Sequence, residues 1–216
     1  RWPQDRINSM VVSEAKKGRR VVRLKSGDPG VFGRAAEEVD AARDAGIPIE
    51  IVPGVTAACA AAAGLTRSLT ERGVANTLVL ATGTGRAEDP LPDSIRLSGP
   101  GTTTALYMSV SQASRLSGLW MQQGMPPDCS VDICVEVTKQ GQRYLEATVA
   151  TMANVLREHR VTGSAILLVT WPSEDGVTSA VPKFETGLSL QSETVATGGR
   201  TQGCPVAPSF RDRHVI

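Results

Sequence analysis

The sequence predicts an α/β protein made of two α/β lobes with a cleft between them. Short apolar segments rich in β-branched residues alternate with helical patterns, which is typical of this class. A loop-rich stretch from Thr82 to Pro100 interrupts the alternation. From about Glu174 the chain is rich in Ser, Thr, Gly and Pro and loses its periodicity, so we expect a disordered tail. The predicted divisions are an incomplete N-terminal lobe at 1–82, a C-terminal lobe at 83–173 and the tail at 174–216.

Five segments have helical periodicity, and several end at a stop signal such as Gly18, Gly46 or Gly124. The predicted helices are 3–17, 34–45, 56–63, 111–123 and 147–159. Six short apolar segments predict strands that are largely buried. The predicted strands are 21–24, 49–52, 77–80, 104–108, 131–137 and 165–171.

The overall charge gives no support for a partner that is bound mainly by electrostatic attraction. The 216 residues are 41% hydrophobic and 21% charged, and 23 basic side chains balance 22 acidic ones. A nearly neutral protein has no global attraction for nucleic acid or an anionic membrane, so neither is expected as a partner. A compact anion could still be held by a few arginines.

The cysteine pattern predicts reduced thiols and no metal site. No C-x-x-C pair occurs, and only two histidines accompany the four cysteines. The cysteines are Cys59, Cys129, Cys134 and Cys204. No apolar segment approaches the roughly 20 residues of a membrane span, and no signal-peptide pattern is present. These features predict a cytoplasmic protein.

The densest motif is Arg23-Leu24-Lys25-Ser26-Gly27-Asp28-Pro29-Gly30-Val31-Phe32-Gly33-Arg34, where a predicted strand ends and a helix follows. Gly27 allows the backbone to approach a ligand closely, and Asp28 offers a carboxylate to an ammonium group or to backbone donors. The ends of strands are where open α/β sheets hold ligands. Gly-Asp-Pro alone is also consistent with a simple turn.

Several further motifs follow in a fixed order along residues 4–172. Together with the segment 21–38 they resemble the S-adenosylmethionine-dependent uroporphyrinogen-III C-methyltransferases, which belong to the tetrapyrrole methylases and also form the methylase portion of sirohaem synthase. The motifs are Gln4-x-x-Ile7-Asn8, Ile51-Val52-Pro53-Gly54-Val55-Thr56-Ala57-Ala58, Thr70-x-Arg72-Gly73, Thr82-Gly83-Thr84, Leu106-Tyr107-Met108 and Val135-Glu136.

The resemblance implies a binding site for S-adenosylmethionine as methyl donor, with no metal. Met108 would lie between this cofactor and the tetrapyrrole, although a methionine is more often core filling. The chain is one residue short near Val137, where the family often has Asn-Gly. The implied cofactor-binding residues are Ser26, Gly27, Asp28, Val31, Thr56, Ala57, Met108 and Val137.

The resemblance also implies catalytic and substrate-binding side chains. Glu37 would be the base that removes a pyrrole proton, with Arg34 as its electrostatic partner. Arg34, Arg72 and Met108 would bind a substrate rich in carboxylates, which guanidinium groups suit. Taken without the resemblance, Arg34 and Glu37 could equally form a surface ion pair at i and i+3, and Arg72 could be a solvated loop arginine.

The implied reaction is successive methylation of uroporphyrinogen III at C2 and C7 to give precorrin-2, on the way to sirohaem or cobalamin, by a homodimer. The family's first strand and its glycine-rich G-x-G-x-G-D-P loop would precede Arg1. Two alternatives stay open: a non-catalytic remnant that binds cofactor or tetrapyrrole, and a later precorrin methyltransferase. The phrase Val31-Phe32-Gly33-Arg34 favours the uroporphyrinogen enzymes over related rRNA and diphthamide methylases.

Overall fold

One mixed five-stranded sheet organises most of the structure. The computed structural model describes residues 2–83 and 96–174. The strands are β1 Thr77–Thr82, β2 Thr102–Tyr107, β3 Ser130–Val135, β4 Arg143–Thr148 and β5 Ala165–Trp171. Their order across the sheet is β1-β2-β5-β3-β4. The last strand in sequence is therefore the central one.

The direction of β5 decides which strand ends meet. β1 is parallel to β2, whereas β5 is antiparallel to both β2 and β3. Tyr107 at the end of β2 pairs with Ile166, and Val135 at the end of β3 pairs with Ala165. The ends of β2 and β3 and the beginning of β5 thus share one edge of the sheet.

The helices with described bounds are α1 Gln4–Lys16, α2 Ala35–Asp44, α3 Ala57–Gly64, α4 Ala113–Gln122 and α5 Met152–Glu158, with a 3₁₀ turn at Val110–Gln112. α3 packs on one face of the sheet, and α4 and α5 pack on the other. The strand side chains alternate between two cores, as the two-residue period of a strand requires. One core joins Leu106 and Leu167 to the fully buried Trp120 of α4 and Met152 of α5.

The opposite core is small and lies under the alanine-rich α3. Ala58 and Ala61 of this helix pack with Ala105 and Leu168 of the sheet. Small side chains let the helix approach closely, so that a Cβ added to Gly64 would lie 1.8 Å from the hydroxyl oxygen of Tyr144. This close approach sets the position of α3 over the sheet.

A charged cluster holds together the part of the chain that contains α1 and α2. The described residues form two compact groups, 2–25 with 34–52, and 26–33 with 53–83 and 96–174. In the first group the buried Glu38 accepts hydrogen bonds from Lys25 at 2.6 Å, Gln4 at 3.0 Å and Arg23 at 3.2 Å. Burial acts to raise the pKa of Glu38, but the Lys25 and Gln4 donors and the charges of Lys25 and Arg23 lower that pKa overall.

The sequence predicted most elements within a few residues. The strands 77–80, 104–108, 131–137 and 165–171 correspond to β1, β2, β3 and β5. The strand predictions at 21–24 and 49–52 were wrong, because only single bridges form there, at Val22 and Glu50. The predicted helix 147–159 begins only at Met152, because its first residues complete β4, a strand that the sequence analysis missed.

The division into lobes stays a prediction. β1, assigned from sequence to the lobe 1–82, is hydrogen-bonded to β2 of the lobe 83–173. The tail beyond Glu174, with Cys204, lies outside the described residues. No helix in the described ranges combines the length and apolar character that a bilayer crossing needs. Within those ranges, no cluster of three or more His, Cys, Asp or Glu side chains could hold a metal ion.

The Glu38 cluster predicts an acid-dependent loss of stability. Because the folded pKa is lowered, the stabilisation is present above the unfolded pKa of about 4.3 and is lost as pH falls through the folded value. Glu38→Gln leaves Lys25, which is 7% exposed, without its counter-ion, and we expect a loss of about 3 kcal/mol at pH 7. Urea unfolding at pH 7 and below pH 4 measures this difference, which should shrink in acid.

Asp40→Asn is the matched control for Glu38→Gln. Asp40 lies on the same helix and pairs with Arg43, but both side chains are mostly exposed, so its loss should change little. Equal effects of the two substitutions, or a Glu38 effect that does not depend on pH, would contradict the cluster's role.

Candidate functional site

A cavity of about 490 Å³ opens at the sheet edge where β2 and β3 end and β5 begins. Its walls come from five segments that are far apart in sequence, and the strand order brings three of them together. The lining residues are Ser26, Ala57, Tyr107, Met108, Cys134, Glu136, Val137, Lys139, Gly163, Ser164, Ala165 and Ile166. We call this the strand-end cavity.

The loop 26–33 is tied to the Pro-Gly turn by one carboxylate. Asp28 accepts hydrogen bonds from the backbone N–H of Gly30 at 2.8 Å and of Gly54 at 3.0 Å. Both carboxylate oxygens therefore accept backbone bonds. Of the two roles that the sequence allowed for Asp28, the structure shows the bond to backbone donors.

Two glycines permit this approach of the two turns. Gly27 has a φ of +80°, a conformation that other residues rarely adopt. A Cβ added to Gly54 would lie 2.4 Å from the carbonyl oxygen of Gly27 and 3.2 Å from the Cα of Asp28. Any side chain at position 54 would force the two turns apart.

Tyr107 connects β2 to the beginning of α3. Its hydroxyl lies 2.6 Å from the Oγ1 of Thr56 and accepts a hydrogen bond from the N–H of Ala58 at 3.2 Å. The N–H groups of a helix's first turn have no partner within the helix, and Tyr107 supplies one from the sheet. The ring of Phe32 packs against that of Tyr107, with centroids 4.8 Å apart. Tyr107 thus braces both loops beside the cavity.

The opposite wall is formed by the ends of β3 and β5. The N–H of Glu136 donates to the carbonyl of Ser164 at 2.8 Å, which joins the two segments. Burial raises the pKa of the Cys134 thiol to about 12, and the charge of Asp132 contributes. This thiol is therefore neutral at physiological pH and contributes packing, since the thiolate is the nucleophilic form.

Of the eight residues that the resemblance assigns to the cofactor, four line this cavity: Ser26, Ala57, Met108 and Val137. The other four are in its supporting loops. Gly27 and Asp28 shape the turn, and Thr56 bonds to Tyr107. The N–H of Val31 donates to the carbonyl of Asp28 at 3.2 Å. Met108 is 52% exposed with a φ of +53°, which makes it a cavity wall and excludes a core-filling role.

The resemblance's catalytic pair lies in the group that contains α2. Arg34 and Glu37 form a bidentate ion pair, with both N–O distances 2.6 Å, and each side chain is about half exposed. The hydrogen bond from Arg34 holds the pKa of Glu37 below its usual value despite some desolvation, and the same bond raises the pKa of Arg34. The i, i+3 pair that the sequence allowed is therefore present.

Arg72 lies on an exposed turn in the other group. This turn is closed by paired backbone hydrogen bonds between Glu71 and Ala75, both 2.8 Å. The guanidinium is presented to solvent, which is consistent with a solvated arginine and leaves its substrate role a prediction.

Sequence reasoning missed most of the cavity wall that is formed around the end of β3 and the beginning of β5. Tyr107 and Glu136 stood inside quoted motifs, but no role was assigned to them. The segment Gly163–Ile166 could not be found, because only the antiparallel course of β5 brings it to this edge. Cys134 and Lys139 carried no local signal.

Comparison with known proteins assigns the family. A profile described as Tetrapyrrole (Corrin/Porphyrin) Methylases matches residues 3–153, well over half of the chain. The chain belongs to the tetrapyrrole methylases.

A curated relative of this tetrapyrrole methylase is the siroheme synthase of Gluconacetobacter diazotrophicus. The two are 41% identical over 172 residues, which is 77% of this chain and 36% of the relative. The chain thus spans about a third of the length of the curated relatives it matches.

Solved structures share the fold of this tetrapyrrole methylase. A cobalt precorrin-4 methyltransferase aligns with a TM-score of 0.70 and 25% identity, over 79% of this chain and 72% of that one. The uroporphyrin-III C-methyltransferase of Thermus thermophilus aligns with a TM-score of 0.67 and 34% identity, over 77% and 71%. The same enzyme in complex with S-adenosylhomocysteine aligns with a TM-score of 0.65 and 29% identity, over 77% of this chain and 72% of that one.

Replacing each of the two tyrosines of the sheet by phenylalanine should have opposite effects on the stability of the protein. Tyr107→Phe leaves the N–H of Ala58 without its partner, and we expect a loss of about 1 kcal/mol. The Tyr144 hydroxyl is buried and has no hydrogen-bond partner among the described residues, so Tyr144→Phe should be neutral or stabilising. Urea unfolding of both variants makes the test. A Tyr107→Phe variant as stable as the wild type would contradict the bracing role.

Proposed function

We propose that this chain catalyses methyl transfer from S-adenosylmethionine to uroporphyrinogen III at C2 and C7, giving precorrin-2. The observation that carries the proposal is the strand-end cavity, which gathers Ser26, Ala57, Met108 and Val137 from four separate segments. The resemblance stated above implies a cofactor role for the same four residues. Siroheme synthase and uroporphyrin-III C-methyltransferase relatives support the same substrate class.

The chemistry of the cavity suits an adenosyl ligand, which has both apolar and hydrogen-bonding groups. Ala57, Val137 and Ile166 offer apolar surface, whereas Ser26 and Ser164 offer hydroxyl groups. Gly54 supports the arrangement of the two turns beside the cavity, because a Cβ at this position would collide with Gly27. When bound, S-adenosylmethionine supplies a methyl group already activated on its sulfonium for attack by an electron-rich pyrrole carbon.

The protein's own contribution is then mainly positioning. The Asp28 carboxylate fixes the two turns on one side of the cavity, and Tyr107 fixes the start of α3. Met108 would separate the cofactor from the tetrapyrrole. Because hydrogen bonds hold the Asp28 turns and the start of α3, the site is preorganised for an in-line transfer.

Glu37 is the proposed proton acceptor after each methyl addition. Each addition leaves a ring proton to be removed, and the Glu37 carboxylate is the group proposed to accept it. The hydrogen bond from Arg34 lowers the pKa of Glu37, which keeps the carboxylate ionised but also weakens it as a base. Arg34 holds that carboxylate in a bidentate pair and would also contact a carboxylate of the substrate. Arg72 is the other proposed handle for the eight carboxylates of uroporphyrinogen III.

A later precorrin methyltransferase is the second candidate function. The TM-score of 0.70 with a cobalt precorrin-4 methyltransferase favours it on fold, whereas the 34% identity with a uroporphyrin-III enzyme favours the first. A remnant that binds without turnover is the third. We further propose a homodimer that acts in the cytoplasm, without nucleic acid as partner.

Titration with S-adenosylhomocysteine, the reaction product, tests the cofactor site. We expect binding at about micromolar strength by calorimetry. Gly54→Ala should weaken it about tenfold or more, because its Cβ would push on Gly27. Gly118→Ala is the control, since nothing lies within 4 Å of a Cβ added there. Failure of the folded wild type to bind would remove the cofactor proposal.

Turnover with uroporphyrinogen III tests the proposed base. Glu37→Gln should retain affinity for S-adenosylhomocysteine and lower kcat by about 100-fold, the usual contribution of general base catalysis. Mass spectrometry counts the methyl groups added, and Asp40→Asn on the same helix is the control. A product with other ring positions methylated would favour the later precorrin enzymes. Cofactor binding without any turnover would favour the non-catalytic remnant.

A further inference from the structure

A second and larger cavity adjoins the strand-end cavity. Its volume is about 820 Å³, and Met108 and Gly163 belong to the walls of both cavities. Five apolar side chains, two hydroxyls and two guanidinium groups line it. The lining residues are Met108, Val110, Ser111, Ala153, Leu156, Arg157, Arg160, Val161, Thr162 and Gly163. We call this the arginine cavity.

The backbone at the end of α5 determines where Arg160 projects. The N–H of Arg160 bonds to the carbonyl of Arg157 at 3.1 Å, and that of Val161 bonds to the carbonyl of Leu156 at 2.9 Å. These two bonds form the helix-ending motif in which the residue after the cap is left-handed and is usually glycine. Arg160 has a φ of +51° there. The chain thus carries an arginine where the backbone favours glycine.

The two arginines of the arginine cavity have no carboxylate partner in the part of the chain that the structure describes. Among the described residues, neither Arg157 nor Arg160 forms an ion pair with a carboxylate. Arg157 donates a hydrogen bond to the amide oxygen of Asn154 at 3.2 Å, which orients it without cancelling its charge. Both guanidinium groups remain able to bind an anion.

The cavity is chemically matched to an apolar ligand with anionic arms. The buried Leu156 and Val161 contribute its apolar surface, and the arginines contribute two cations. A simple anion would not need the apolar wall, and an uncharged ligand would not need the arginines. Planar guanidinium groups pair with carboxylates through two parallel hydrogen bonds.

We propose that the arginine cavity is a subsite for the carboxylate arms of the tetrapyrrole, with Arg157 and Arg160 as their partners. This inference rests on the proposed function and adds a substrate contact that the sequence motifs did not contain. The shared wall at Met108 and Gly163 places the subsite directly beside the proposed cofactor site. One ligand would then lie on each side of Met108.

Uroporphyrin III, the stable oxidised form with eight carboxylates, is the probe for this subsite. We expect the wild-type chain to bind it, and the double variant Arg157→Ala with Arg160→Ala to bind it at least tenfold more weakly, with a reduced dependence on salt. Fluorescence titration measures both. Arg115→Ala is the control, because it removes an exposed arginine that lines neither cavity. Coproporphyrin III, with four carboxylates, should lose less affinity in the double variant.

The variant Arg160→Gly distinguishes a ligand-binding role of Arg160 from a structural one. Glycine suits the left-handed position, so this variant should melt at a higher temperature than the wild type while it binds uroporphyrin III more weakly. An arginine with a purely structural role would not give these opposite changes.

The outcomes distinguish this inference from the proposed function. Unchanged uroporphyrin III affinity in the double variant overturns the subsite, as does a wild type that binds S-adenosylhomocysteine but no porphyrin. A loss of S-adenosylhomocysteine affinity in the double variant would assign the arginines to the cofactor's carboxylate instead and also overturn it. Loss of wild-type binding to both ligands would overturn the proposed function as well.

Discussion

Strand β5 lies antiparallel between β2 and β3, and the candidate site depends on this placement. Because β5 begins where β2 and β3 end, three segments distant in sequence meet at one edge of the sheet. The pairing of Tyr107 with Ile166 fixes their register, and a slip of one residue would turn each side chain to the opposite face. The two cores on either side of the sheet hold that register, since Leu167 and Leu168 are both fully buried on opposite faces.

Hydrogen bonds that side chains accept from backbone N–H groups, rather than ion pairs, hold the loops around the strand-end cavity. Asp28 accepts two backbone N–H groups, and Tyr107 accepts a third at the start of α3. A site built in this way is rigid at little entropic cost, because few long side chains need to be ordered. Arg157 and Arg160 of the arginine cavity form no ion pair with a described carboxylate, so both are available for the proposed anionic ligand.

The two cavities share Met108, whose backbone is left-handed and whose side chain is half exposed. A methionine suits a wall between two ligands, because its flexible thioether adapts to either side. The resemblance implied that Met108 would lie between the cofactor and the tetrapyrrole. A position in the walls of two adjoining cavities is consistent with that expectation. It also explains why a residue beyond the motifs, such as Arg160, can belong to the same proposed reaction.

The sequence by itself determined the α/β class, four of the five strands and the segments that carry Ser26, Ala57 and Met108, because these depend on local periodicity and turn chemistry. It also indicated the family through ordered motifs. It did not determine β4 or the cavity wall at Gly163–Ile166, nor the helix end at Arg160. These depend on strand order and on hydrogen bonds between residues distant in sequence, which only the tertiary structure decides.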